Sequence, residues 1–393
     1  MLRRWIAGLV VLTAASAAPL AQKKPEPPKP PPSIAPLDLA RLLDTYASGR
    51  FDEAVQAVAR AGDTLGKNLR AHWTLDAPSW IEADPAARAQ RLLVAAAFAL
   101  ETENVRVERG EWGTNTSDVH CPGTCVLDWA QEHLVLRGPA DAAERTWYLA
   151  AAALAGGVRD WRYLERPANP RAEPPIPAGL MGRALERFPD DPRLRLEQAL
   201  AVASRYAVTI EGERYATSLP PGVVVNVNGM RGGALVAPRP TARDQAITML
   251  AALVEDPVVG PEAGIRLGYL HWAIRDDVSA RAELTRAAAD AKEIDDRYLA
   301  EFLLGWVAMQ AGDAAAAGPH FEAALAARPE SQSAAVALAA LTLQQGDATR
   351  AHDIAQSSLD KRPTDVDPWR LILYGHHSRL AGLITQLRSQ VHP

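Results

Sequence analysis

Chemistry in this chain would start with sulfur. The two cysteines lie in His120-Cys121-Pro122-Gly123-Thr124-Cys125, four residues apart across a Pro-Gly pair. A turn at that spacing brings the Cα atoms to about 6 Å, within reach of a disulfide. So small a loop would add only about 2 kcal/mol of stability. The expectation is a structural Cys121–Cys125 disulfide, with free or redox-active thiols and a metal site left open beside it. A metal would need two further ligands, and only His120 and His133 are near in sequence. Haem attachment fails on spacing and on Val126, which stands where a histidine would follow the second cysteine. His376-His377 are neighbours that cannot share a helix face, so they read as a solvated helix end rather than a metal pair. Asp276-Asp277 read as helix-capping carboxylates rather than an acid/base pair. Gly229, Gly232 and Gly233 fit neither nucleotide fingerprint, and no nucleophile-elbow, zinc-protease, calcium-loop or P-loop pattern occurs. No catalytic residue, metal or cofactor is therefore expected.

Composition narrows the classes further. Formal net charge is −5, and −7 without Arg3 and Arg4, with no clustered basic face, so nucleic acid is not an expected partner. Residues 1–17 have a basic start, an apolar run from Trp5 to Leu12 and a small-residue end at Ala15-Ser16-Ala17. That layout predicts a secretory signal peptide cleaved after Ala17, its apolar run too short to span a bilayer comfortably. The chain is thus expected to be periplasmic or secreted, under oxidising conditions, with no transmembrane segment after cleavage. Residues 18–36 form a linker rich in proline and lysine, including Lys23, Lys24 and Lys29, that should sample extended polyproline conformations.

The elements that must position everything else are set by an internal period. Tyr298–Ser331 and Gln332–Asp365 overlay at 34 residues: Gly312-Asp313 on Gly346-Asp347, Ala317 on Ala351, Ala324 on Ser358, Pro329 on Pro363. Such a period marks stacked helical hairpins. A first helix ends near Gln310, Gly312 makes a turn that a Cβ would crowd, small Ala317 lets the second helix approach, and Pro329 stops it. With Leu304-Gly305 early in the first copy, the segment resembles the tetratricopeptide repeat. Gly49-Arg50-Phe51-Asp52-Glu53-Ala54 resembles the turn of the same motif, and Leu267-Gly268 resembles Leu304-Gly305.

The expected fold is all-α, a helical-hairpin repeat α-solenoid with a small β-hairpin insertion. Residues 37–206 read as degenerate helical repeats with the cysteine loop, and 207–241 as hairpins around Asn228-Gly229. Residues 242–393 read as C-terminal repeats closed by a short amphipathic helix from Leu383 to Val391, expected to be a solvating cap.

The resemblance implies a protein or peptide partner held in a concave groove lined by the first helices. Carried onto this chain, the groove positions are Tyr269, Trp272, Phe302, Trp306, Met309, Val336, Leu343, Arg370 and Leu373. Aromatic anchors suit a binding surface, although aromatics at helical spacing also fill cores. An alternative is an enzyme or a carbohydrate- or small-ligand-binding protein using Val105–Cys125 and Ala207–Arg239 as its pocket. The sequence names neither the partner nor the oligomeric state.

Overall fold

The computed structural model describes residues 36–65, 72–81, 84–108, 122–157, 180–203, 240–361, 367–372 and 377–393. These are helical throughout apart from connecting turns and a two-residue parallel pairing of Leu37–Asp38 (β1) with Trp73–Thr74 (β2). The helices are α1 Leu39–Ala47, α2 Phe51–Leu65, α3 Pro78–Ile81, α4 Pro85–Glu108, α5 Pro122–Ala130 and α6 Ala142–Gly157. They continue with α7 Leu180–Arg187, α8 at 192–203, α9 Pro240–Ala251, α10 Gly260–Ala273, α11 Asp277–Asp290 and α12 Ile294–Gln310. Last come α13 Ala314–Ala327, α14 Gln332–Gln344, α15 Ala348–Asp360, α16 Pro368–Leu371 and α17 His377–Val391. Among the described residues no helix is long and apolar enough to cross a membrane.

The architecture is the expected all-α array of helical hairpins, and the period is visible atom by atom in α12–α15. Gly312 and Gly346 both take positive φ, +78° and +91°, where a Cβ would strain the backbone. The next residue caps the second helix in each copy: Asp313 accepts from Ala316 N and Asp347 from Arg350 N, both at 2.9 Å. Behind each turn, Ala317 and Ala351 are buried small residues that let the paired helices close. At α10–α11 the left-handed place falls to Arg275, φ +70°, and Asp276 caps α11 by accepting from Ser279 N at 3.1 Å. The carboxylate there is a cap, as its position before the helix implies.

Successive repeats are tied at their first-helix starts. Asp367, which caps α16, accepts from Tyr298 Oη at 2.7 Å, Ser331 Oγ at 2.9 Å, Ser333 N at 3.2 Å and Trp369 N at 3.0 Å. Burial alone would raise its carboxyl, but these donors hold it below the usual range.

In the N-terminal half, burial sets where the helices run. Val105-Arg106-Val107-Glu108 is the last turn of α4, which packs against α2, α5 and α6 and buries Glu101, Thr102 and Glu103 just before it. Pro122-Gly123 opens α5 rather than forming a free turn; a Cβ on Gly123 would run into Ala99 O, so glycine lets α5 lie against α4. Cys125 therefore sits in the first turn of a helix, while Cys121 lies outside the described residues. The 207–241 insertion also lies outside them, except that Pro240 and Thr241 open α9.

The largest departure is at the chain end. The last helix is not confined to capping the final repeat: α17 returns to pack on α4 and α6. Its apolar face, Ile384, Leu387 and Val391, is buried at helical spacing. Arg388 donates to Glu101 at 2.7 and 2.6 Å and to Asp52 at 3.0 Å, and it lies over the Phe51 ring at 5.0 Å. Tyr46 donates to the same Glu101, and Gln90 Nε2 donates to Val391 O at 2.9 Å. The hydrogen bonds to Glu101 raise the Arg388 guanidinium further above its already high range.

Candidate binding cleft

The residues placed on the groove by resemblance do not share one surface. Phe302 is 1% exposed, stacked on Tyr298 at 5.8 Å and edge-on to Trp369 at 5.2 Å. Tyr269 and Trp272 are also buried in the core that runs from α8 to α16. The reason is local: Gly305 and Gly268 leave hollows on the first helices that Phe321 and Leu284 of the second helices fill. Aromatics beside such hollows are drawn into the inter-helix core, where each buried ring contributes its largest area. Trp306 and Met309 are half-buried against that core. Val336 and Leu343, 63% and 58% exposed on α14, do face solvent. The Arg370 side chain and Leu373 lie outside the described residues, as do the Ala207–Arg239 loops and most of Val105–Cys125.

A concave site does exist, one turn nearer the first-helix starts. A cleft of about 830 Å³ opens between α6, α8, α10, α12 and α17. Its floor includes Leu149, Ala153, Ile265 and Leu299; Gly382, Leu383 and Gln386 of the returning α17 make one wall. Val258 and Ile294, 61% and 64% exposed, stand at its edge.

Charge lines the remainder. α8 is started by Asp191, which accepts from Arg193 N and Leu194 N at 3.0 Å and is paired with Arg145. That start fixes Arg193, which donates to Glu262 of α10 at 3.1 Å. One turn on, Glu197 and Arg266 are both buried. Burial pulls the Arg266 guanidinium below its usual range, against the opposing pull of Glu262, Glu197 and Asp296. On α12, Asp295 is paired with Arg328, whereas half-buried Asp296 makes no hydrogen bond or ion pair among the described residues. Burial, with Glu262 and Glu293 beside it, pushes the Asp296 carboxyl up to about 7 although Arg193 and Arg266 pull the other way.

Sequence reasoning passed over these residues, yet a signal was present. Arg193-x-x-x-Glu197 and Glu262-x-x-x-Arg266 are opposite charges at i and i+4, in opposite order, on two first helices. Read as solvated pairs they are ordinary; facing one another across a stack they form a buried lattice. Among the described residues no group of three or more metal-binding side chains converges.

A tetratricopeptide-repeat family model matches residues 308–372. The match begins inside α12 and runs through α13, α14 and α15 to α16. A search of curated proteins finds no match. Repeats of this family are protein-interaction scaffolds, and the matched segment coincides with the hairpins whose turns and caps recur every 34 residues. On the agreement of period, hairpin geometry and matched segment, residues 308–372 are tetratricopeptide repeats.

Proposed function

We propose that the chain is an exported scaffold that holds a protein or peptide segment in the cleft between α6, α8, α10, α12 and α17, and performs no chemistry of its own. One observation carries this reading: a cleft of about 830 Å³ on the first-helix side of the stack, with Val258 and Ile294 left exposed at its edge. Exposed aliphatic side chains beside a concavity supply apolar area for a partner to cover. Val336 and Leu343, seven residues apart on α14, offer a further apolar strip. Export rests on the N-terminal residues 1–17 alone.

The cleft volume also falls in the range of small-ligand sites, which sustains a second reading as a metabolite or sugar receptor. Binding of the chain from Ala18 to arrayed overlapping peptides, beside a thermal-shift panel of sugars and small acids, separates the two. Peptide binding that Ile294→Glu abolishes without lowering the melting temperature supports the scaffold. A thermal shift with a small solute and no peptide binding supports the receptor. For export, the full chain expressed with a C-terminal tag should be recovered outside the cytoplasm with Ala18 as its first residue; retention of Met1 on the exported form would refute the cleavage.

A further inference from the structure

Resting on the cleft as the binding site, we infer that its occupant is a peptide segment presenting a lysine or arginine side chain to Asp296, flanked by apolar residues that cover Val258 and Ile294. Among the described residues the lining holds three cations, Arg193, Arg266 and Lys292, against five carboxylates, Glu197, Glu262, Glu293, Asp295 and Asp296. That excess favours a cationic occupant over an anionic one.

The carboxylates are not equivalent. Glu262 is engaged by Arg193 and Asp295 by Arg328. Glu197 is buried beside Arg266, and Glu293 stands in solvent at the start of α12. Asp296 alone combines partial burial, a place in the cleft wall and no hydrogen bond or ion pair among the described residues. A half-buried carboxylate without a donor is costly to ionise, and an incoming ammonium or guanidinium supplies the missing partner. The groups that face it set how binding depends on pH. Arg193 of α8 and Arg266 of α10 favour the ionised form, while Glu262 of α10 and Glu293 before α12 oppose it. Among the described residues, the walls from α6 and α17 contribute Leu149, Ala153, Gly382, Leu383 and Gln386, none of them charged. With its carboxyl near 7, Asp296 holds its proton on the acid side of neutrality and must release it when the cation enters. Binding should therefore strengthen from pH 6 to pH 8, by about tenfold if only the ionised form is competent.

The test uses the chain from Ala18 and four nine-residue fluorescent peptides that differ only at a central lysine, arginine, norleucine or glutamate set between leucines. Anisotropy titrations at pH 6 and pH 8 should give lysine and arginine peptides that bind at least tenfold tighter than norleucine at pH 8, and a glutamate peptide that does not bind. The lysine peptide should bind about tenfold more weakly at pH 6. Asp296→Asn should erase both the basic preference and the pH dependence. Equal binding of lysine and norleucine peptides to the unmodified chain overturns the inference and leaves the cleft reading standing; that comparison also decides the matter if the Asn variant fails to fold. Peptide binding unchanged by Ile294→Glu, or no binding by any of the four, overturns the cleft reading and the inference with it.

Discussion

Helices α12–α15 are held by contacts that recur every 34 residues, whereas the joining of α2, α4 and α6 to the returning α17 rests on contacts that occur once. In the repeats, each turn glycine, capping aspartate and small buried alanine has a counterpart one period away. In the closed N-terminal bundle, the anchoring groups come from far apart: Tyr46, Asp52, Glu101 and Arg388 meet at one point, and Arg88 joins Asp141 and Glu144. Recurring local contacts allow a stack to form piecewise. A closure of nearly the full chain length must instead be carried by strong, desolvated interactions that offset its chain entropy. The cleft lies where the two regimes meet, walled by first helices on one side and by α17 on the other.

The largest effect expected from breaking this contrast is at the closure. Arg388→Ala leaves buried Glu101 without its cation and should cost about 3 kcal/mol in urea denaturation. Hydrogen exchange should quicken in α2, α4 and α6 and stay unchanged in α12–α15. Equal loss of protection in both would mean that closure and stack are one cooperative unit. Next comes the inter-helix hollow: Gly305→Ala pushes a Cβ into the Phe321 ring and should cost about 2 kcal/mol. Gly318→Ala, whose nearest neighbour would be Leu341 at 3.7 Å, serves as the mild control.

Periodicity itself is tested by a smaller pair. Gly312→Ala and Gly346→Ala meet no neighbour within 4 Å, so each should cost only the left-handed backbone penalty, about 1 kcal/mol, and the two costs should match. Unequal costs would show that the copies are not energetic equals. The gentlest probe is pH. The Asp367 carboxyl is lowered by its donors, so its stabilisation is full above the ordinary carboxylate value and is lost as pH falls through its folded value. The Asp296 carboxyl is raised to about 7, so the folded state loses stability as pH climbs from about 4 to about 7. Asp367→Asn should flatten the acid limb of the melting temperature, and Asp296→Asn should raise stability above pH 7 relative to the parent. Parallel pH profiles for the two variants would contradict the opposite environments assigned to them.

Legibility followed the same divide. The hairpins of α12–α15 could be read because a turn glycine, a cap and a helix-stopping proline act within a few residues of themselves. The aromatic row could be identified but not placed: whether Phe302 lines a groove or fills a core depends on the hollow at Gly305 and on Trp369 arriving from α16. The buried charges of the cleft were legible only as ordinary i, i+4 pairs, since nothing local tells Glu262 that Arg193 stands opposite.

By itself, the sequence determined the helical class, the 34-residue period and the turn and capping chemistry, because those are set by backbone sterics and hydrogen bonds among near neighbours. Only the tertiary structure decided that Phe302 fills the inter-helix core, that Asp296 stands in the cleft wall with no donor among the described residues, and that Arg388 meets Glu101. Those outcomes depend on packing between segments as much as 287 residues apart, where burial and dielectric, rather than residue type, set the energy of a charge.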